Sequence, residues 1–206
     1  PFQEFVAVFA ELICAAQECV RALSGGERSA VSLRDVARCV KVFAWFGNHL
    51  YQTRRAGADW ELEDFFLARP RAEAAVRRAA VLALAYTYHA RLPRDERAVL
   101  VGVVADKWRE LQLRQADVRG AYNYMTGLGG MTGLDYLTAW RPPVAKCRWL
   151  RLEAKEFVAQ LEGLQREVAG QMNLPEGIAL NEALCENLFM ILVSVLNQVP
   201  IFVIGK

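Results

Sequence analysis

The chain has 206 residues, of which 54% are hydrophobic and 23% are charged, a balance typical of a globular protein rather than a disordered or fibrous one. Its 25 Lys and Arg and 23 Asp and Glu give a net charge of +2, which argues against the clustered positive charge of a nucleic-acid-binding protein. The length predicts one large domain, or one domain with part of a second.

Apolar residues recur at three- and four-residue steps along most of the chain, and this period predicts helices. The stretch 120–143 breaks the pattern, because it is rich in glycine, contains two adjacent prolines and carries little charge. We interpret it as an irregular segment between helices. The predicted helices span residues 3–23, 32–55, 72–92, 93–112, 144–170 and 180–197.

Local signals set several of these helix ends. The run Ser24-Gly25-Gly26 should stop the first helix, and Ser32 with Asp35 matches the S-x-x-[DE] capping pattern at the start of the second. Pro93 suits the first turn of the fourth helix, because its fixed φ is already helical.

The C-terminal part of the chain contains 19 uncharged residues between Glu186 and Lys206, close to the length of a membrane span. Polar residues and Pro200 fall at its centre, which a membrane helix rarely tolerates. We therefore predict no transmembrane span, but a buried helix to about Asn197 followed by a buried strand, Val199–Ile204. That strand is apolar on both faces, like a central parallel strand, and we expect its partners to come from beyond Lys206.

An apolar strand that runs into Gly205-Lys206 is how a phosphate-binding loop begins, because glycine lets backbone N–H groups turn toward a phosphate. An ordinary turn after a strand has the same sequence. Both interpretations of Gly205 and Lys206 stay open on the residues alone, and Lys206 is too early in the loop to be the lysine that grips phosphate.

Arg34 is the second candidate for chemistry, because it lies in the first turn of a predicted helix, where the helix dipole disfavours a cation. An anion outside this turn would offset that cost, since the adjacent Asp35 points elsewhere. The alternative is a solvated arginine on a polar stripe with Arg38 and Lys41.

Other reactive residues form no recognisable site. His49 and His89 have no Ser, Cys or Asp at the spacing of a catalytic triad, and we predict no catalytic residue and no metal site within these residues. The five cysteines form no CxxC pair and lie mostly in apolar patterns, which predicts reduced core thiols in a cytosolic protein.

Three stretches resemble dynein-like AAA modules. FVAVFAELICAAQECVRAL and SAVSLRDVARCVKVFAWF resemble the lid helices, in which S-x-R-D at a helix start carries the second sensor. LNEALCENLFMILVSVLNQVPIFVIGK resembles the entry to the following module, specifically in the mysterin family of giant AAA-type ring-finger ubiquitin ligases. The resemblance covers residues 1–50 and 178–206, while 57–175 match no motif of the family.

The resemblance implies a mainly α fold, a helical bundle of the AAA lid type with a single C-terminal buried β-strand that starts a following α/β AAA module. Residues 1–175 would form the lid and connector, and residues 176–206 the first helix and strand of the next module, truncated at the phosphate loop. Arg34 would be the sensor, reaching ATP that is bound with Mg mainly by residues outside this chain.

The family resemblance also implies an ATP-hydrolysing ubiquitin ligase as the parent protein, with zinc only in its ring finger. The implied partners are neighbouring AAA modules and the ubiquitin machinery, with no nucleic acid, and the implied location is the cytosol and lipid droplets. Two alternatives are a free-standing helical interaction module and the lid of another dynein-like AAA protein.

Overall fold

The computed structural model describes residues 2–52, 69–126, 152–175 and 177–201. This part of the chain is mainly helical, as predicted, and contains no strand. Short 3₁₀ turns at Arg28–Ala30 and His89–Arg91 connect some of the helices. The helices are α1 (Phe2–Leu23), α2 (Leu33–Gln52), α3 (Arg69–Thr87), α4 (Arg97–Thr126), α5 (Ala154–Gln171) and α6 (Glu182–Leu196).

Helix α3 lies at the centre of the bundle, where it packs against α1, α2 and α5. Every residue from 79 to 88 is buried. A helix that is apolar around its whole circumference is stable in water only when neighbours cover every side. The alanines of this stretch leave room for those neighbours to approach closely, so α3 organises the core.

One continuous hydrophobic cluster joins the helices. Helix α4 packs on α1, and α5 packs on α6, while α5 also contacts α3 and α4. Large side chains that are almost completely inaccessible mark the centre of the cluster and come from different parts of the chain: Trp108, Tyr88, Phe46, Phe157 and Phe189.

The predicted stop of α1 is confirmed. The N–H of Gly26 donates to the carbonyl of Arg21 at 2.8 Å, and the N–H of Gly25 donates to the carbonyl of Ala22 at 3.3 Å. These two bonds form a Schellman motif, which requires a left-handed residue after the helix. Gly25 has φ 69° and Gly26 has φ 83°, so two glycines meet this requirement without steric cost.

Helix α6 is capped at both ends. The Asn181 side chain accepts a hydrogen bond from the N–H of Leu184 at 2.8 Å, which satisfies one of the free donors of the first turn. At the other end the N–H of Val199 donates to the carbonyl of Ser194 at 2.8 Å, again in a Schellman motif. Here the left-handed residue is Gln198, with φ 50°, rather than a glycine.

Two predicted helix boundaries around α4 are wrong. The helix begins at Arg97 rather than Pro93, because the chain first makes a turn in which the N–H of Glu96 donates to the carbonyl of Pro93 at 3.1 Å. It continues to Thr126, so residues 120–126 are helical and do not belong to an irregular segment. Glycine content alone is therefore a poor guide to the C-terminal end of α4, because a helix tolerates a glycine at a modest cost in stability.

Some predictions fall outside the described residues. They include most of the irregular segment, the last three residues of the predicted second helix after Gln52, and Phe202 to Lys206, which hold half of the predicted strand. Val199 and Ile201, at its start, belong to no strand in the described part, and Val199 packs against the hydrophobic cluster. No described helix is both long enough and apolar enough to cross a membrane.

Candidate functional site

Arg34 lies in the first turn of α2, and its side chain is exposed. Within the described part of the chain it has no hydrogen-bond or ion-pair partner. Leu33 beside it is 86% exposed, so this side of the first turn of α2 faces solvent. The guanidinium of Arg34 is therefore accessible to an anion, as the sequence interpretation requires, and it is equally accessible to solvent.

Asp35, the next residue, is only 4% exposed, and its carboxylate forms the half of the predicted capping pattern that reaches back to Ser32. Its Oδ2 accepts hydrogen bonds from the backbone N–H of Ser32 at 2.7 Å and from the Ser32 hydroxyl at 3.1 Å. The carboxylate thus satisfies a free N–H at the helix start and offsets the positive end of the dipole. Asp35 therefore supplies the anion of this turn, and Arg34 has no partner among the described residues.

Two further arginines converge on the same carboxylate. Arg91 contacts Asp35 Oδ1 at 2.8 Å, and Arg38 contacts it at 3.5 Å. Burial by itself raises the pKa of Asp35, but the hydrogen bonds from Ser32 and the charge of Arg91 outweigh burial and hold the pKa below its ordinary value. Asp35 is therefore charged at neutral pH and fixes the start of α2 to the turn that holds Arg91.

A buried amide extends this cluster into the core. Gln17 Nε2 on α1 donates to the carbonyl of Ser32 and to the hydroxyl of Tyr88, both at 3.3 Å. These contacts tie α1, the start of α2 and the end of α3 together at one end of the bundle. We call Gln17, Ser32, Asp35, Tyr88 and Arg91 the α2 cap cluster.

A second polar cluster attaches α6 to the bundle. Arg97 and Glu186 form a two-pronged ion pair, with Nη1···Oε2 at 2.9 Å and Nη2···Oε1 at 2.6 Å. Both side chains are largely buried, 16% and 14% exposed. Arg97 Nε also donates to the carbonyl of Leu92 at 3.0 Å, so the guanidinium is fixed in plane from three sides.

Two more contacts hold the same face of α6. Ser194 is fully buried and shares a hydrogen bond of 2.7 Å with the Tyr86 hydroxyl on α3. Phe189 stacks on Phe46 of α2, with ring centroids 6.2 Å apart. Helix α6 is therefore attached to α2, α3 and α4 as well as to α5.

His89 lies beside the Arg97–Glu186 pair, and its ring centroid is 5.9 Å from that of Phe157. Burial, together with the positive charge of Arg97, lowers the pKa of His89 to about 4, and the carboxylate of Glu186 offsets only part of this effect. The imidazole is consequently neutral at physiological pH.

The 3₁₀ turn after α3 connects the two clusters. Arg91 at the end of this turn contacts Asp35, whereas His89 at its start lies next to Arg97 and Glu186. The sequence interpretation found only Ser32 and Asp35 of the first cluster and missed the second cluster entirely. A signal was available for the second, since Glu186 is a charge next to the apolar residues of this helix and such a charge needs a partner when buried.

Comparison with known families gives a match to the C-terminal part of the chain. Residues 177–206 match a family model described as the RNF213 AAA domain. Helix α6 lies entirely within these residues. The match supports an AAA-type ATPase region here, in agreement with the resemblance found in the sequence. Searches of curated proteins and of solved structures find no match.

The remaining predicted site residues lie elsewhere. Gly205 and Lys206 fall outside the described residues, so their part in a phosphate loop stays a prediction. Among the described residues no group of three or more His, Cys, Asp or Glu could hold a metal ion. Cys19, Cys39 and Cys185 are free and buried, as predicted, whereas Cys14 is exposed because it lies on the outer side of α1.

We expect Asp35→Asn to lower the free energy of unfolding by about 1.5 to 3 kcal/mol, because the change removes the buried charge that the Ser32 donors and two arginines face. Asp106→Asn is the control, since Asp106 is 73% exposed in its pair with Arg109 and should cost about 0.5 kcal/mol or less. Urea unfolding measures both. Equal losses in the two variants would show that the cap cluster contributes no more than a surface ion pair.

We expect His89 to make stability depend on pH. The unfolded histidine, with an ordinary pKa of 6.5, binds a proton that the folded one, with a pKa of about 4, excludes. The contribution of His89 is therefore fully present above pH 6.5 and is lost as pH falls toward 4, at up to about 1.4 kcal/mol per pH unit.

His89→Asn removes this titration. Urea unfolding of both proteins between pH 4 and pH 7 gives the free energy of unfolding at each pH, and this should change less with pH in the variant. The contributions of all other titrating groups cancel when the two profiles are subtracted. Parallel profiles would mean that His89 titrates alike in the folded and unfolded chain.

Proposed function

We propose that this chain is a nucleotide-sensing lid and inter-module connector within the dynein-like AAA core of a giant ubiquitin-protein ligase of the mysterin type. The match of residues 177–206 to the RNF213 AAA domain carries the proposal, because these residues include the helix that the bundle holds through the Arg97–Glu186 pair. A helical bundle fixed to the leading helix of an AAA region has the form that a connector needs.

The sensing role is assigned to Arg34. Its exposed guanidinium, with no partner among the described residues, suits a charge-assisted contact with the γ-phosphate of ATP bound by the preceding module. ATP, with its Mg, would supply the anion that this side chain lacks within the bundle. Arg38 and Arg91, both partly exposed, add positive charge around the same turn.

The connecting role is assigned to the turn between α3 and α4. A shift of α2 would move Asp35 and, through the ion pair, Arg91. The turn that carries Arg91 also carries His89, which lies near the Arg97–Glu186 pair that holds α6. The contact at the α2 end is the 2.8 Å ion pair of Arg91 with the buried Asp35, and the contact at the α6 end is the largely buried Arg97–Glu186 pair. Helix α6 would therefore move with α2 as part of one rigid bundle.

The parent protein that we propose hydrolyses ATP and transfers ubiquitin, with zinc confined to a ring finger outside this chain. Its proposed partners are the neighbouring AAA modules and the ubiquitin machinery, and its proposed location is the cytosol and lipid droplets. These properties rest on the sequence resemblance and on the short family match.

Arg34→Ala tests the sensing role in the complete polypeptide. We expect ATP affinity or turnover to fall about tenfold, the effect of losing one charge-assisted hydrogen bond, with an unchanged melting temperature because the side chain is exposed. Lys41→Ala, an exposed cation about two turns along the same helix, is the control and should leave ATP handling unchanged. If both variants bind and hydrolyse ATP normally, the sensing role is wrong and a free-standing interaction module is favoured.

A further inference from the structure

A second arginine reaches the first turn of α2 beside Arg34. Arg38 follows Arg34 by one helical turn, so the two side chains leave the same side of the helix, with their Cβ atoms about 5 to 6 Å apart. The side chain of Arg38 extends back toward the start of the helix, since its Nη1 lies 3.5 Å from Asp35 Oδ1. Both arginines therefore border the first turn, and the Arg38 side chain is 41% exposed there.

Asp35 directs Arg38 to this turn but holds it only loosely. Oδ2 of the carboxylate accepts hydrogen bonds from the N–H and the hydroxyl of Ser32, and Oδ1 is contacted by Arg91 at 2.8 Å. The 3.5 Å contact of Arg38 is longer than the roughly 2.7 to 2.9 Å of a charge-assisted hydrogen bond. Arg38 therefore keeps N–H donors for a further anion.

The charges around this turn match a terminal phosphate group. For the three arginines Arg34, Arg38 and Arg91 the turn supplies one carboxylate, Asp35, so positive charge is left unbalanced. Like charges one turn apart on a helix repel, and an anion between them removes the repulsion. A terminal phosphate carries up to about two negative charges near pH 7 and has three acceptor oxygens, so it can bind two guanidinium groups at once.

We propose that Arg38 is a second contact for the γ-phosphate beside Arg34, and that the two arginines together set a preference for ATP over ADP. Asp35 is the positioning residue that holds Arg38 over the first turn of α2. This inference rests on the proposed sensing role and adds a specificity-determining residue to it.

The test compares Arg38→Ala with the wild type in the complete polypeptide, by equilibrium binding of ADP and of a non-hydrolysable ATP analogue. We expect the preference for the triphosphate to fall about tenfold, the effect of losing one charge-assisted hydrogen bond, while the affinity for ADP stays the same. A purely structural role of Arg38 would change both affinities alike and leave their ratio at the wild-type value. Arg38→Lys keeps the charge but not the planar fork, so it should retain part of the preference, and it serves as the second variant if Arg38→Ala does not fold.

Arg109→Ala is the matched control, because Arg109 also pairs with an aspartate three residues earlier on its helix and is 63% exposed. It should change neither affinity. An unchanged ratio in Arg38→Ala with a reduced ratio in Arg34→Ala would overturn this inference and leave the sensing role in place. A reduced ratio in Arg38→Ala with a silent Arg34→Ala would transfer the sensing role to Arg38, and unchanged ratios in both variants would overturn both proposals.

Discussion

The ion pair between Arg97 and Glu186 is the constraint on which the arrangement of the bundle and α6 depends. Two charges taken out of water cost several kcal/mol each, and only close, two-pronged geometry offsets that cost. The distances of 2.9 and 2.6 Å meet this requirement. A shift of α6 along its axis would leave Glu186 buried without its partner. The main effect of the pair is therefore to fix the position of α6, and its net contribution to the free energy of unfolding is small.

The turn between α3 and α4 links the Arg97–Glu186 pair to the start of α2. It carries Arg91 to the carboxylate of Asp35 and leads to Arg97, which binds Glu186, so the start of α2 and the start of α6 are fixed by residues of one short stretch of chain. Apolar contacts alone tolerate sliding, because they are not directional. The Arg91–Asp35 ion pair at this turn and the Arg97–Glu186 pair that follows it are directional, and in the connector role that we propose they would pass a displacement from one side of the bundle to the other.

Features set by neighbouring residues could be predicted from the sequence. Ser32 and Asp35 capped α2 as expected, and the glycines after Leu23 ended α1, since both signals act within four residues. The start of α4 was misplaced because Pro93 fits a turn as well as a helix. The partner of Arg97 could not be found, since Glu186 lies 89 residues away and one sequence carries no record of that contact. Arg34 was singled out for its place at a helix start, and its free, exposed side chain agrees with a sensor and with a solvated arginine alike.

The most direct measurement is native-state hydrogen exchange of the amides of α6 in the wild-type protein and in Arg97→Met. We expect α6 in the wild type to open with the same free energy as α3, as one cooperative unit, and to lose that protection in Arg97→Met while α3 keeps it. Arg94→Met, whose side chain is 55% exposed and lies 3.6 Å or more from its carboxylates, should change neither helix. Exchange of α6 far faster than that of α3 in the wild type would contradict a helix rigidly attached to the bundle.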